Sequence, residues 1–121
     1  MAAYVDVVGL KAVNDAHGHA AGDALLRRAV LALRKHLRPY DLIVRLGGDE
    51  FLCVLSGATV QEGRERFKAL SAGLRDDPDG CEVTVGLAAF QSEDSAADLI
   101  ARADAELPTR ARRAASANGR S

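Results

Sequence analysis

No stretch of the sequence approaches the roughly 20 consecutive apolar residues that a membrane helix needs, so no segment is expected to span a bilayer. The opening Met1-Ala2-Ala3-Tyr4-Val5-Asp6 puts no positive charge ahead of an apolar core, which argues against a signal peptide. Cysteine is scarce: Cys53 and Cys81 stand alone, without CxxC or Cys/His ligand spacing. That excludes a zinc ribbon and suits a reducing compartment, so the cytoplasm is the expected location. Neither sign of charge dominates, at 16 basic residues against 17 acidic, and no nucleic-acid partner is expected. There is no internal repeat. What remains is 121 residues, 48% hydrophobic and 27% charged. That is the profile of one globular domain that buries about two-thirds of its unfolded surface.

Hydrophobic spacing gives the elements. Tyr4–Val8 is predicted as a strand closed by Gly9. A polar stretch, Asn14-Asp15-Ala16-His17-Gly18-His19, leads to a helix from about Ala24 to Leu37, with Asp23 placed to cap it and Pro39 to stop it. Its apolar residues, from Leu25 through Leu33 to Leu37, recur at three- and four-residue steps. Leu42–Leu46 and Phe51–Leu55 read as a hairpin around Gly47-Gly48-Asp49-Glu50. A helix over Val60–Leu74 follows, with Val60, Phe67, Leu70 and Leu74 inward, and Asp76-Asp77-Pro78-Asp79-Gly80 turns the chain. Cys81–Ala88 alternates as a strand. Ser95 with Asp98 forms a capping box for a last helix to about Leu107, ended by Pro108. The visible order is βαββαβα, with room for a further short element near residues 9–22 or 88–95. It predicts an α+β sandwich of the ferredoxin-like kind, a mostly antiparallel sheet with helices packed on it. The domain is expected over residues 1–107. Residues 108–121, with four arginines and no acid, form a basic tail that reads as frayed rather than as an electrostatic arm.

Chemistry can sit where acids meet glycines. Asp6 ends the first strand, and Asp49 and Glu50 lie in the hairpin turn. Hard cations such as Mg²⁺ take carboxylate oxygens, supplemented by water and substrate phosphates, so few protein ligands suffice. Gly47 and Gly48 would let a triphosphate approach the backbone, where a Cβ would obstruct it.

Gly47-Gly48-Asp49-Glu50-Phe51 resembles the signature of the GGDEF family, the bacterial diguanylate cyclases. Average composition yields such a pentapeptide on the order of once per million positions. The family's upstream pattern is similar to the run from Asp6 through Lys11, Asn14-Asp15 and Gly18-His19 to Gly22-Asp23. Arg38-Pro39-Tyr40-Asp41 resembles the family's RxxD inhibitory motif, and Thr84-Val85 and Ala103-Asp104 echo later patterns.

The resemblance implies a nucleotidyl-cyclase palm fold and the condensation of two GTP into cyclic di-GMP and two pyrophosphates, across a homodimer. It implies Mg²⁺ or Mn²⁺ held by Asp6, the Val7 carbonyl and Asp49, with Asp49 or Glu50 helping to deprotonate the attacking hydroxyl. Lys11 would neutralise phosphate charge. Asn14 and Asp23 would read the guanine edge, His19 would complete the pocket, and Gly47 and Gly48 would border the phosphates. Arg38 and Asp41 would bind the product and inhibit. A linked sensor or regulatory domain is implied as well.

The sequence also departs from the family. The family's opening Leu-Thr-Gly-Leu segment is not found, Val8 replaces the second Asp of the first motif, and Leu10 replaces its Phe. The late Ala-Leu-Tyr-x-Ala-Lys pattern has become Glu106-Leu107-Pro108-Thr109-Arg110-Ala111, leaving Arg110, Arg112 or Arg113 to stand in for the lysine. The alternative reading is therefore a catalytically silent domain that binds GTP or cyclic di-GMP.

Overall fold

The computed structural model describes residues 1–78 and 80–108, so Asp79 and the tail beyond Pro108, with Arg110, Arg112 and Arg113, lie outside the described residues. Its elements run β1 (Ala2–Val7), α1 (Leu10–His17), α2 (His19–His36), β2 (Leu42–Arg45), β3 (Glu50–Val54), α3 (Val60–Asp76), β4 (Val83–Ala88) and α4 (Ala96–Ala105). The strands form one sheet in the order β2-β3-β1-β4, and every neighbouring pair is antiparallel. Each crossover therefore skips one strand position: α1–α2 carries β1 to β2, and α3 carries β3 to β4. This is the ferredoxin-like arrangement that the element order predicts.

β1 is central and hydrogen-bonded on both edges, and its period-two alternation feeds two cores. Val5 and Val7, with Phe51 and Cys53, pack under Leu25, Leu26, Ala29 and Leu33 of α2 and Phe67, Leu70 and Leu74 of α3. Ala2 and Tyr4, with Leu52 and Ala88, pack under Leu99 and Ala103 of α4, together with Leu107. Cys53 is a small buried hydrophobe, and burial pushes its thiol up to about 12.

Several boundaries differ from the sequence reading. The order is βααββαβα, because Leu10–His17 forms a helix in the polar stretch. α1 buries no residue fully; Leu10 and Val13, one turn apart, lean on the core from its edge. Gly9 and Gly18 bracket it at φ of 84° and 86°, a left-handed backbone that few other residues adopt. α2 starts at His19 with Gly18 as its N-cap, so Asp23 lies a turn inside the helix and does not cap it. β4 starts at Val83 rather than Cys81, and α4 ends at Ala105 rather than Leu107. The capping box of Ser95 and Asp98 forms as expected, and Thr59 with Glu62 makes a second one on α3.

Candidate active site

The sheet brings the first motif and the glycine turn to one end. Asp6 is paired in register with Glu50 on one side and Thr84 on the other. The Val7 amide donates to the Asp49 carbonyl at 2.8 Å, tying the end of β1 to the hairpin tip. Asp6, Asp49 and Glu50 are half-buried. Two carboxylates directly opposite on adjacent strands repel one another unless something positive lies between or beside them. Lys11 is exposed in the first turn of α1, which leaves β1 at this same end.

The turn is held from outside. Arg45 donates from Nε to the Gly47 carbonyl at 3.0 Å and from Nη2 to the Gly48 carbonyl at 2.9 Å. The Leu46 amide meets the Glu50 carbonyl at 2.8 Å and closes the hairpin. A Cβ on Gly48 would meet nothing within 4 Å, so the turn is open to a ligand. The Tyr4 hydroxyl donates to Glu50 Oε2 at 2.7 Å. Sequence reading missed both Arg45 and Tyr4; their signal is a polar group inserted in an apolar strand run.

Asn14 is packed where α1 crosses α2. A Cβ on Gly22 would lie 1.8 Å from its Oδ1, so the glycine is what admits this side chain. That Oδ1 is buried without a hydrogen-bond partner. Asp23 borders a groove of about 300 Å³ with Leu26, Arg27, Val30, Arg45 and Phe51. One wall of that groove is therefore the arginine that grips the glycine turn. His19 is exposed at the start of α2. A separate hollow of about 270 Å³ between α2 and α3 includes Arg28, Lys35 and His36 but none of the motif residues.

Arg38 and Asp41 are not presented as a surface pair. Asp41 is 2% exposed, and its Oδ2 accepts the Arg38 amide at 2.8 Å and lies 3.7 Å from Arg66 Nη1. The Arg38 guanidinium points outward and donates to the Tyr40 hydroxyl at 2.6 Å, which raises its already high pKa. Arg34 donates to the Asp41 carbonyl at 3.2 Å.

Among the described residues, no three His, Cys, Asp or Glu side chains form a ready metal cage. The donor set at the strand end is nevertheless all oxygen, two facing carboxylates beside a turn acid, which suits a hard divalent cation completed by water and phosphate. No helix among the described residues is long and apolar enough to cross a membrane.

An antiparallel α+β sheet with acids on a glycine hairpin at one end, beside a lysine at a helix start, has the outline of a phosphate-handling domain. The chain belongs to the GGDEF family: the model described as "Diguanylate cyclase, GGDEF domain" matches residues 1–117. Among curated proteins it is similar to diguanylate cyclase DgcP of Pseudomonas aeruginosa, 34% identical over 119 residues, which are 93% of this chain and 18% of DgcP. It is also similar to the cyclic di-GMP phosphodiesterase PdeR of Escherichia coli, 36% identical over 115 residues, 88% of this chain and 17% of PdeR. The chain thus spans about a fifth of either relative. Among solved structures, the GGDEF domain of TpbB from Pseudomonas aeruginosa superposes with a TM-score of 0.80 at 30% identity, covering 93% of this chain and 70% of that one.

Proposed function

We propose that this domain is a diguanylate cyclase, which condenses two GTP into cyclic di-GMP with loss of two pyrophosphates. The observation that carries the reading is the facing pair of Asp6 and Glu50 beside the Arg45-held glycine turn. Asp6, the Val7 carbonyl and Asp49 would hold Mg²⁺ or Mn²⁺, which supplies charge neutralisation at the α-phosphate when bound. Arg45 keeps the Gly47–Gly48 backbone in a shape that leaves room for the phosphates, and Lys11 adds a positive charge at the same end. Asp49 or Glu50 accepts the proton of the attacking 3′-hydroxyl. In the groove beside Asp23, Leu26, Val30 and Phe51 offer an apolar bed for a purine. Asp23, with Asn14, would accept from the N1–H and amino donors that adenine lacks, and His19 closes the polar rim. A homodimer supplies the second GTP, and a sensor or regulatory domain sets its assembly. GTP and reduced cysteines both point to the cytoplasm.

Product binding is proposed at the corner of Arg38. Its exposed guanidinium can stack on guanine or fork to phosphate, while Asp41 holds the turn that carries it. The domain is proposed to take in residues 1–107, the last of which, Leu107, is fully buried in the α4 core. A second reading, a domain that binds nucleotide without turnover, is favoured by Val8. This side chain is 43% exposed at the strand end, where the family's motif carries its second acid. Incubation with labelled GTP and Mg²⁺ decides between them. Cyclic di-GMP as product supports the enzyme; binding with unchanged GTP supports the silent module. An ATP control with Asp23→Ala tests the base assignment, which fails if both proteins discriminate equally.

A further inference from the structure

Tyr4 stands on β1 at 7% exposure, in the core that α4 covers with Leu99 and Ala103. Nothing in that packing asks for a hydroxyl, since a leucine or phenylalanine would fill the place without burying a polar atom. An unpaired phenol there costs roughly 1–3 kcal/mol. The partner it finds is Glu50, at 2.7 Å on Oε2. Glu50 also faces Asp6 in register, so one carboxylate meets a like charge from one β1 residue and a donor from another two positions away. A carboxylate fixed through one oxygen loses its free rotation and meets an incoming ligand in a single geometry.

We propose that Tyr4 is a positioning residue that acts through Glu50, anchoring Oε2 so that this carboxylate meets substrate in one orientation, beside the cation that Asp6 and Asp49 would hold. The inference rests on the reading of Glu50 as an acid of the catalytic turn. It also ties that turn to the α4 layer, because the ring that carries the hydroxyl is packed beneath α4.

The test uses the chain's own chromophores. With no tryptophan and two tyrosines, Tyr40→Phe leaves Tyr4 as the sole tyrosine emitter. A phenol bonded to a carboxylate has quenched emission, so adding Glu50→Gln should brighten it. Titrating Mg²⁺ alone should change the emission saturably in Tyr40→Phe and leave it unchanged once Glu50→Gln is added. In turnover, Tyr4→Phe should lower kcat about tenfold with KM for GTP nearly constant, and should add nothing in a Glu50→Gln background. Emission indifferent to both Mg²⁺ and Glu50→Gln overturns the proposal, as does a further loss from Tyr4→Phe in that background. If Tyr4→Phe fails to fold, the emission arm decides alone. If wild type responds to Mg²⁺ yet makes no cyclic di-GMP, the cyclase reading falls while the emission arm still decides the role of Tyr4.

Discussion

Two turns in this chain are closed by the same pair of hydrogen bonds. At Arg38–Asp41, the Asp41 amide meets the Arg38 carbonyl at 2.9 Å and the Arg38 amide meets Asp41 Oδ2 at 2.8 Å. At Gln91–Asp94, the corresponding bonds are 3.1 and 2.8 Å. Each aspartate also faces an arginine: Asp41 has Arg66 at 3.7 Å, and Asp94 has Arg102 at 2.5 and 2.7 Å. The better-paired aspartate is the one nearer the surface, where water competes for the same bonds. Asp41, more loosely paired, is sealed under α2 and α3, where nothing else can replace its contacts. A third turn, Gly47–Glu50, has no aspartate lock of this kind: Arg45 holds its glycine carbonyls, and the Tyr4 hydroxyl holds Glu50. Burial makes Asp41 a strut, pairing with Arg102 makes Asp94 a clamp, and Asp49, half-buried like Asp94, is the proposed reagent.

The widest separation is expected between Asp49 and Asp41. Asp49→Ala should lower cyclic di-GMP synthesis by about 10³-fold, the scale of losing a charge-stabilising group at the reacting centre. Its thermal midpoint should stay near that of wild type, because the side chain lies in an open turn. A variant that unfolds, or that cyclises GTP normally, removes Asp49 from the reagent class. Asp41→Ala should do the opposite and destabilise the fold by about 3 kcal/mol. It strands the Arg38 amide and takes from the half-buried Arg66 its carboxylate partner. A urea midpoint within error of wild type would show that the corner does not depend on its carboxylate. Gly22→Ala belongs beside it as a second strut, since its Cβ must displace Asn14 and should cost about 1–3 kcal/mol.

Arg45 sharpens the contrast on a smaller scale. It stands outside the turn and holds two carbonyls, so Arg45→Ala should cost about tenfold in turnover with little change in stability. Arg45→Lys should recover only part of the loss, because an ammonium cannot reproduce the two-pronged fork. Full recovery by lysine would mean that charge, and not the grip on the glycine backbone, is what the turn needs.

These three turns also mark where the sequence stops being legible. The strands, α3 and α4 follow from alternation, three-to-four spacing and capping residues, all local signals that the packed sheet reinforces. α1 is hidden because it packs on α2 rather than sinking a face into the core. Arg38-Pro39-Tyr40-Asp41 reads as a surface motif, and only the placement of Arg66 and the sheet beneath it turns the carboxylate inward. The facing of Asp6 and Glu50 depends on register between strands that are 44 residues apart in sequence, which no local pattern encodes. The bond from Tyr4 to Glu50 has the same origin.

The smallest effect should come from the clamp at Asp94. Arg102 and the Gln91 amide hold its carboxyl below the usual carboxylate range. A lowered folded value means that the folded state favours the ionised form. The stabilisation is therefore fully present above the unfolded pKa and drains away as pH falls through the folded one. Arg102 also donates to the Ala89 carbonyl, so the same side chain ties the Gln91–Asp94 turn to the end of β4. Asp94→Asn keeps an acceptor for the Gln91 amide but removes the charge that Arg102 needs. Urea midpoints of wild type and Asp94→Asn should therefore differ slightly at neutral pH and converge as pH falls through and below the usual carboxylate range. High salt should shrink the neutral-pH gap, as it does for any pair near the surface. Curves that run parallel across the whole range would mean that the Asp94 charge contributes nothing, and that the turn is closed by its two backbone-anchored bonds alone.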